Sequence, residues 1–269
     1  NASLYTPFGI AGVETLGYEL NEQMVEKTGR SPDAVVVTNA GGGNLTGTAR
    51  GLIKAGAQNT EVIGASVNLK NLHMASDSQF NRKSFTTGHT GFGIPFATLP
   101  DRSDVPRSAG RPLRYMDRYV TVNQGEVFYM TETLAQIEGL ERGPAGSISL
   151  SAAFALAQQM DNEETIVVQE TEYTGAGKHL QPQLAFAREN GIELKIGDPS
   201  SEIPGKSIIL PENPGTISVV DLELYKLRRS LIRNSVAAAE GDPLEWLEEI
   251  DLEFLATETK TDIEYVKQV

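Results

Sequence analysis

The sequence predicts an α/β fold, a mostly parallel, twisted sheet with helices on both faces, extended at its C-terminal end by helices. Three observations carry this. Short, continuous apolar runs at 34–38, 62–66 and 165–169 have the valine-rich character of strands buried on both faces of a parallel sheet. Between them lie segments long enough for helices, as right-handed β-α-β crossovers require. Beyond Val219 the strand character gives way to helical spacing and acidic residues.

Val13, Leu16, Leu20, Met24 and Val25 recur at near-helical spacing, and Gly29 supplies a stop. The first strand, 34–38, is broken by the glycine loop 39–44, and 45–55 reads as a helix leading to the second strand at 62–66. The stretch 71–114 is rich in Gly, Pro, Ser, Thr and Arg and shows little period. A loop of that length in a compact domain is usually functional or mobile. Residues 119–122 read as a strand, 126–141 and 149–160 as helices, and 165–169 as another buried strand. A helix starting near Lys178 and ending by Asn190 precedes short strands at 192–196 and 208–210. Leu222, Tyr225, Leu227, Leu231 and Ile232 mark a helix. Asp242-Pro243 opens another, and Thr261-Asp262 caps a last one. The expected division is a main domain over 1–218 and an acidic helical tail, for packing or assembly, over 219–269.

Composition narrows the functions. Net charge is −13 in 269 residues, which argues against nucleic acid, whose binding rewards clustered lysine and arginine. No apolar run approaches the ~18 residues of a membrane span, so a cytoplasmic protein is the expectation. There is no cysteine, hence no disulfide, thiolate metal site or cysteine nucleophile in this chain. His73, His89 and His179 are too scattered for a metal centre. Ser149 and Ser151 lack the Gly-x-Ser-x-Gly elbow. Asn44-Leu-Thr46 matches a glycosylation sequon but sits in the glycine loop.

The informative segment is Thr38-Asn39-Ala40-Gly41-Gly42-Gly43-Asn44, between a buried strand and a helix start. Successive glycines let the backbone adopt positive φ and approach a ligand closely. Free N–H groups there converge with the positive end of the helix dipole, a geometry suited to phosphate. An ordinary tight strand–helix turn is the competing explanation. The spacing is not that of a nucleotide-triphosphate loop. No acidic residue ends a strand ~20 residues later, as a dinucleotide fold requires.

The stretch 1–47, with Pro7-Phe-Gly-Ile-Ala-Gly-Val-Glu-Thr-Leu-Gly ahead of the glycine loop, resembles threonine synthase and its fold-type-II pyridoxal-phosphate relatives. Two further matches follow in order: Glu138-Gly-Leu-Glu-Arg-Gly-Pro-Ala-Gly-Ser, and the strand ending Gln169-Glu170-Thr171. The resemblance covers about residues 1–178. It implies a tryptophan-synthase-beta-like fold, pyridoxal 5'-phosphate as cofactor, Ala40, Gly41, Gly42, Gly43 and Asn44 around its phosphate, and Thr171 (with Thr174 competing) at its pyridine nitrogen. Gly143 stands where the family commonly has Glu, which puts that contact in question.

The family's cofactor-bonding lysine precedes the glycine loop. Only Lys27 does so here, on a surface helix, so no catalytic residue is assigned. The resemblance then implies that a companion polypeptide carries the lysine and completes the sheet. Within the family, the region 107–122 and the acidic tail are most similar to beta subunits of an amino-acid-cleaving thiolase. That implies an amino acid substrate split with coenzyme A into alanine and acetyl-CoA, an alpha subunit and a homo-oligomer. Arg111, Arg114 and Arg118 could meet a substrate carboxylate or the phosphates of coenzyme A, but a solvated face is the favoured reading. A threonine-synthase-like lyase or replacement enzyme, or a non-catalytic phosphate-ligand-binding chain, are the alternatives.

Overall fold

The structure is a computed structural model that describes residues 7–39, 42–68, 112–171, 180–189, 191–237 and 241–269. Ala40, Gly41, Thr174, the three histidines, Arg111, most of the 71–114 loop and the helix start near Lys178 lie outside them.

Four strands run parallel: β1 (Ala34–Thr38), β2 (Glu61–Val67), β3 (Arg118–Val122) and β4 (Ile166–Gln169). Their order is β4-β1-β2-β3, and a two-residue strand, β7 (Val220–Asp221), adds antiparallel to β3. A separate parallel pair is formed by β5 (Glu193–Ile196) and β6 (Ser207–Leu210). The expected α/β class and its mostly parallel sheet are therefore present.

Alternation along β1 sends side chains to two cores. Val35 and Val37 face one that includes Leu45, Ala49 and Leu52 of α2 (Gly43–Lys54), with Met116 and Tyr119. Ala34 and Val36 face the other. Its helical members come from α3 (Gln124–Glu138), α4 (Ile148–Ala157) and α5 (Leu180–Glu189), Phe128, Ile148, Ala152 and Leu184 among them. Helices thus cover both faces, and every residue of β1 is buried.

Two elements depart from the sequence reading. The first helix, α1 (Pro7–Thr28), buries Ile10, Glu14, Gly17 and Asn21, while Leu16 and Val25 stay exposed. It packs on α2 through glycines. A Cβ at Gly17 would strike the backbone of Thr48, and one at Gly51 would strike that of Glu14. Close backbone approach, not the apolar stripe, defines that contact. The buried Glu14 carboxylate is answered from α2 by Arg50, 2.7 Å away, and by Lys54.

The second departure is β4, read from sequence as fully buried and found half-buried throughout. It is an edge strand, paired only with β1 among the described residues. Leu16, Leu20 and Met24 of α1 line a cleft of about 340 Å³ with Val167, Val168 and Gln169 beside that edge.

Past Asn213 the chain turns back to form β7, and α6 (Leu224–Val236) brings Leu227 into the core beside β1. Then come α7 (Pro243–Trp246), α8 (Glu249–Thr259) and α9 (Ile263–Gln268). Leu252, Leu255, Ala256 and Val266 pack there against Ile232 of α6. Among the described residues, no helix is long and apolar enough to cross a membrane.

Candidate active site

Because β1 to β4 are parallel, their carboxyl ends share one edge of the sheet. From β1 the chain crosses to β2 on one side, whereas β4 returns to the other side of β1. Chain direction therefore diverges between β1 and β4, and in open parallel sheets ligands bind in the crevice outside such a switch point. The glycine loop follows β1, and Thr171 follows β4. Val37 pairs with Gln169, so extending the register sets Asn39 opposite Thr171.

Asn39, fully buried at the end of β1, is clamped from two strands. The Ser66 hydroxyl on β2 donates to its carbonyl at 2.6 Å, and its side-chain amide donates to the Tyr119 hydroxyl on β3 at 3.1 Å. Ser66 and Tyr119 hydroxyls lie 3.0 Å apart. Burial pushes the Tyr119 phenol up from its ordinary value, opposed by its hydrogen bonding with Ser66 and Asn39. It stays protonated and available as a hydrogen-bonding group.

The chain re-enters the described region at Gly42, whose φ of 80° is left-handed and suits glycine. Gly42 is the N-cap of α2, and among the described residues no side chain caps that helix. Its first backbone bond is Thr46 N–H to the Gly42 carbonyl at 3.0 Å. The N–H groups of Gly43, Asn44 and Leu45 belong to the turn that no intrahelical carbonyl serves. The next turn of α2 is tightly seated, since a Cβ at Gly47 would strike Val13 and the Ile10 carbonyl of α1.

Two buried polar atoms flank the loop without a hydrogen-bond partner among the described residues, Asn39 Oδ1 before it and Thr46 Oγ1 after it. Buried polar atoms are ordinarily satisfied. Uncapped helix N–H groups, a left-handed glycine and two unanswered polar atoms together fit a phosphate-bearing ligand.

The β4 side of the crevice is fixed by side chains that motif reading passed over. Thr48 Oγ1 donates to Gln169 Oε1 at 2.8 Å, and Ser149 Oγ donates to the Gln169 carbonyl at 2.8 Å. Ser149 N–H also reaches Thr38 Oγ1 at 3.2 Å. The two serines weighed as nucleophiles are thus buried and bonded to structure, Ser151 donating to the Ser147 carbonyl at 2.8 Å. Thr171 is exposed, two residues past the last pair of the β1–β4 ladder.

Arg114 pairs with Glu258 at 3.0 Å, and Arg118 with Asp221 at 2.5 Å, so both serve the tail's attachment. Thr46 of the sequon is buried. No metal-binding group of His, Asp or Glu occurs among the described residues. Lys27 stands on the cleft beside β4, together with Glu170.

Comparisons with known proteins bear on the same region. The model of the pyridoxal-phosphate dependent enzyme family matches residues 1–172, which include the glycine loop and the end of β4. The chain is 71% identical over 267 residues to the 2-amino-4-ketopentanoate thiolase beta subunit of Acetoanaerobium sticklandii. It is 61% identical over 269 residues to a protein of the same name from an unknown prokaryotic organism. These alignments cover 99% and 100% of this chain, which spans 56% of the length of each relative. Among solved structures, a mutant O-ureido-L-serine synthase bound to O-ureido-L-serine superposes with a TM-score of 0.45 at 16% identity, covering 71% of this chain and 52% of that one. The chain belongs to the pyridoxal-phosphate dependent enzyme family.

Proposed function

We propose that this chain is the phosphate-holding part of the beta subunit of a 2-amino-4-ketopentanoate thiolase, which uses coenzyme A to cut its substrate into alanine and acetyl-CoA. The observation that carries the reading is the uncapped, glycine-built start of α2 at the β1–β4 switch point, in a chain 71% identical to a protein of that name. In the balanced reaction the CoA sulfur bonds to the ketone carbon and the neighbouring carbon–carbon bond breaks. The thiol proton is made up at the carbon that becomes the alanine methyl.

When bound, pyridoxal phosphate would supply the electron sink that, conjugated through the amino-bearing carbon, steadies the charge left on the carbon that becomes the alanine methyl. This chain's share is binding and orientation. The backbone N–H groups of Gly41, Gly42, Gly43 and Asn44, with Ala40 shaping the loop, would hold the phosphate at the positive end of α2. The Thr171 hydroxyl would meet the pyridine nitrogen. A hydroxyl there does not protonate the ring as a carboxylic acid would, so the sink is milder.

The bonding lysine would come from a companion segment, and the half-buried β4 edge with its apolar cleft supports one. Unpaired apolar strand edges are a liability that soluble proteins cover. An alpha subunit, coenzyme A and a homo-oligomer complete the proposal.

The test is to purify the chain with that companion segment and alpha subunit. Absorbance near ~410–420 nm reports the cofactor bonded to a lysine, and acetyl-CoA formation from 2-amino-4-ketopentanoate reports the reaction. Cofactor absorbance without CoA-dependent cleavage would keep the family chemistry and reject the thiolase. Absence of both, with the companion present, would reject the catalytic reading.

A further inference from the structure

Helix α8 is apolar on two opposite sides. Leu252, Leu255 and Ala256 are buried against α6 and α9. Ile250 and Phe254, one helical turn apart on the far side, are 69% and 62% exposed. Trp246 and Leu244, just ahead on α7, are 44% and 54% exposed. A surface helix needs one apolar stripe for its own core, and further large apolar side chains exposed together mark interaction sites.

The segment that carries these side chains is one-signed in charge. From Gly241 to Thr259 the chain has no lysine or arginine, while Glu245, Glu248, Glu249, Asp251 and Glu253 are all exposed. The nearest basic residue in sequence, Lys260, is paired with Asp117.

We infer that the outer side of α8, continued by Trp246 and Leu244, docks a non-identical subunit through an apolar patch with a basic rim. The inference rests on the beta-subunit reading above and names the face that would meet the alpha subunit. Charge selects the occupant. Two copies of this chain joined at this face would bring two carboxylate rims together, whereas a basic rim is complementary and speeds encounter at low salt. The anchors fit the usual pattern of aromatic and aliphatic side chains at an interface centre within a polar margin.

The probe is the purified alpha subunit that accompanies the Acetoanaerobium relative, titrated against this chain by biolayer interferometry and sedimentation. Ile250→Ser with Phe254→Ser should weaken binding at least tenfold and leave the melting curve unchanged, because both side chains are exposed. Glu249→Lys with Glu253→Lys should slow association at low salt and flatten its salt dependence. Binding of the alpha subunit that neither pair of changes affects overturns this surface and leaves the subunit reading standing. Failure of the alpha subunit to bind the parent overturns both. Self-association that the serine variant abolishes would assign the face to a second copy. Emission of Trp246, the single tryptophan of the chain, that iodide fails to quench in the lone protein would assign the face to the protein's own polypeptide. Each of the last two outcomes rejects the proposal.

Discussion

Gly42 and Asn39 show how differently residues of one site can be read. Glycines between a buried strand and a helix start announce positive φ, and Gly42 adopts it at 80°. Gly42→Val places a β-branched residue there at about 1–3 kcal/mol of strain and crowds the approach to the phosphate. It should abolish cofactor retention, measured by absorbance after gel filtration, while near-native circular dichroism remains.

The clamp on Asn39 was invisible in sequence because its partners are remote: Ser66 lies 27 residues away and Tyr119 lies 80 away. Only the register of β1, β2 and β3 brings them together. Tyr119→Phe keeps the ring and removes the acceptor for the Asn39 amide. It should cost about 1–3 kcal/mol in chemical denaturation, as an unsatisfied buried donor does. It should also weaken pyridoxal 5'-phosphate more than phosphate-free pyridoxal, a ratio that simple destabilisation leaves unchanged. Thr171→Val tests the nitrogen partner and should lower turnover more than cofactor affinity, one hydrogen bond contributing on the order of 0.5–1.5 kcal/mol.

Helix α1 carries the corresponding lesson for elements. Apolar spacing identifies it as a helix but misleads about its buried face. That face is glycine, isoleucine, asparagine and an ion-paired glutamate, fitted against the glycines of α2. Gly51→Val sets a branched side chain against the backbone of Glu14 and Tyr18, an obstacle that cannot rotate away. Upwards of about 3 kcal/mol should be lost, at the high end of overpacking, read as a fall in melting temperature. The apolar stripe displaced from that contact instead lines the cleft by β4. Strand β4 was legible as a strand from its valines. Its place at the edge was not, since an apolar run does not encode how many neighbours it has.

Across the whole molecule, the mostly parallel sheet and the two-sided helical cover followed from the sequence pattern, but the strand order and the junctions did not. Strand β7 is two residues long and carries no periodic signal. Glu202, fully buried between the main sheet's helical layer and the β5–β6 pair, looks in sequence like a surface residue. It accepts from the N–H groups of Gln124 at 2.5 Å and Gly125 at 3.1 Å, at the start of α3.

Burial raises the Glu202 carboxyl to about 7, the N–H groups opposing and Glu126 adding to the rise. A carboxyl raised on folding holds its proton longer in the native state. Its contribution is complete below about 4.5, its unfolded value, and drains away as pH climbs through about 7. Stability attributable to this group should fall across that window by at most about 3.5 kcal/mol, at about 1.4 kcal/mol per unit. Glu202→Gln should flatten the fall in urea titrations at successive pH values.

The strand order also says when the crevice can close. Val36 meets Ile63 on one side and Val168 on the other, contacts 27 and 132 residues apart along the chain. By loop-closure entropy the longer of the two costs about 1.4 kcal/mol more to bring together, and distant pairings form slowly. Extending the β1–β4 register sets Asn39 opposite Thr171, so the proposed seat of the cofactor takes shape only as the most distant pairing of the described sheet is made. A ligand held across that seam bridges strands whose partners lie 132 residues apart in the chain. Adding pyridoxal phosphate during refolding should therefore slow the unfolding arm of the kinetics while leaving the early collapse untouched.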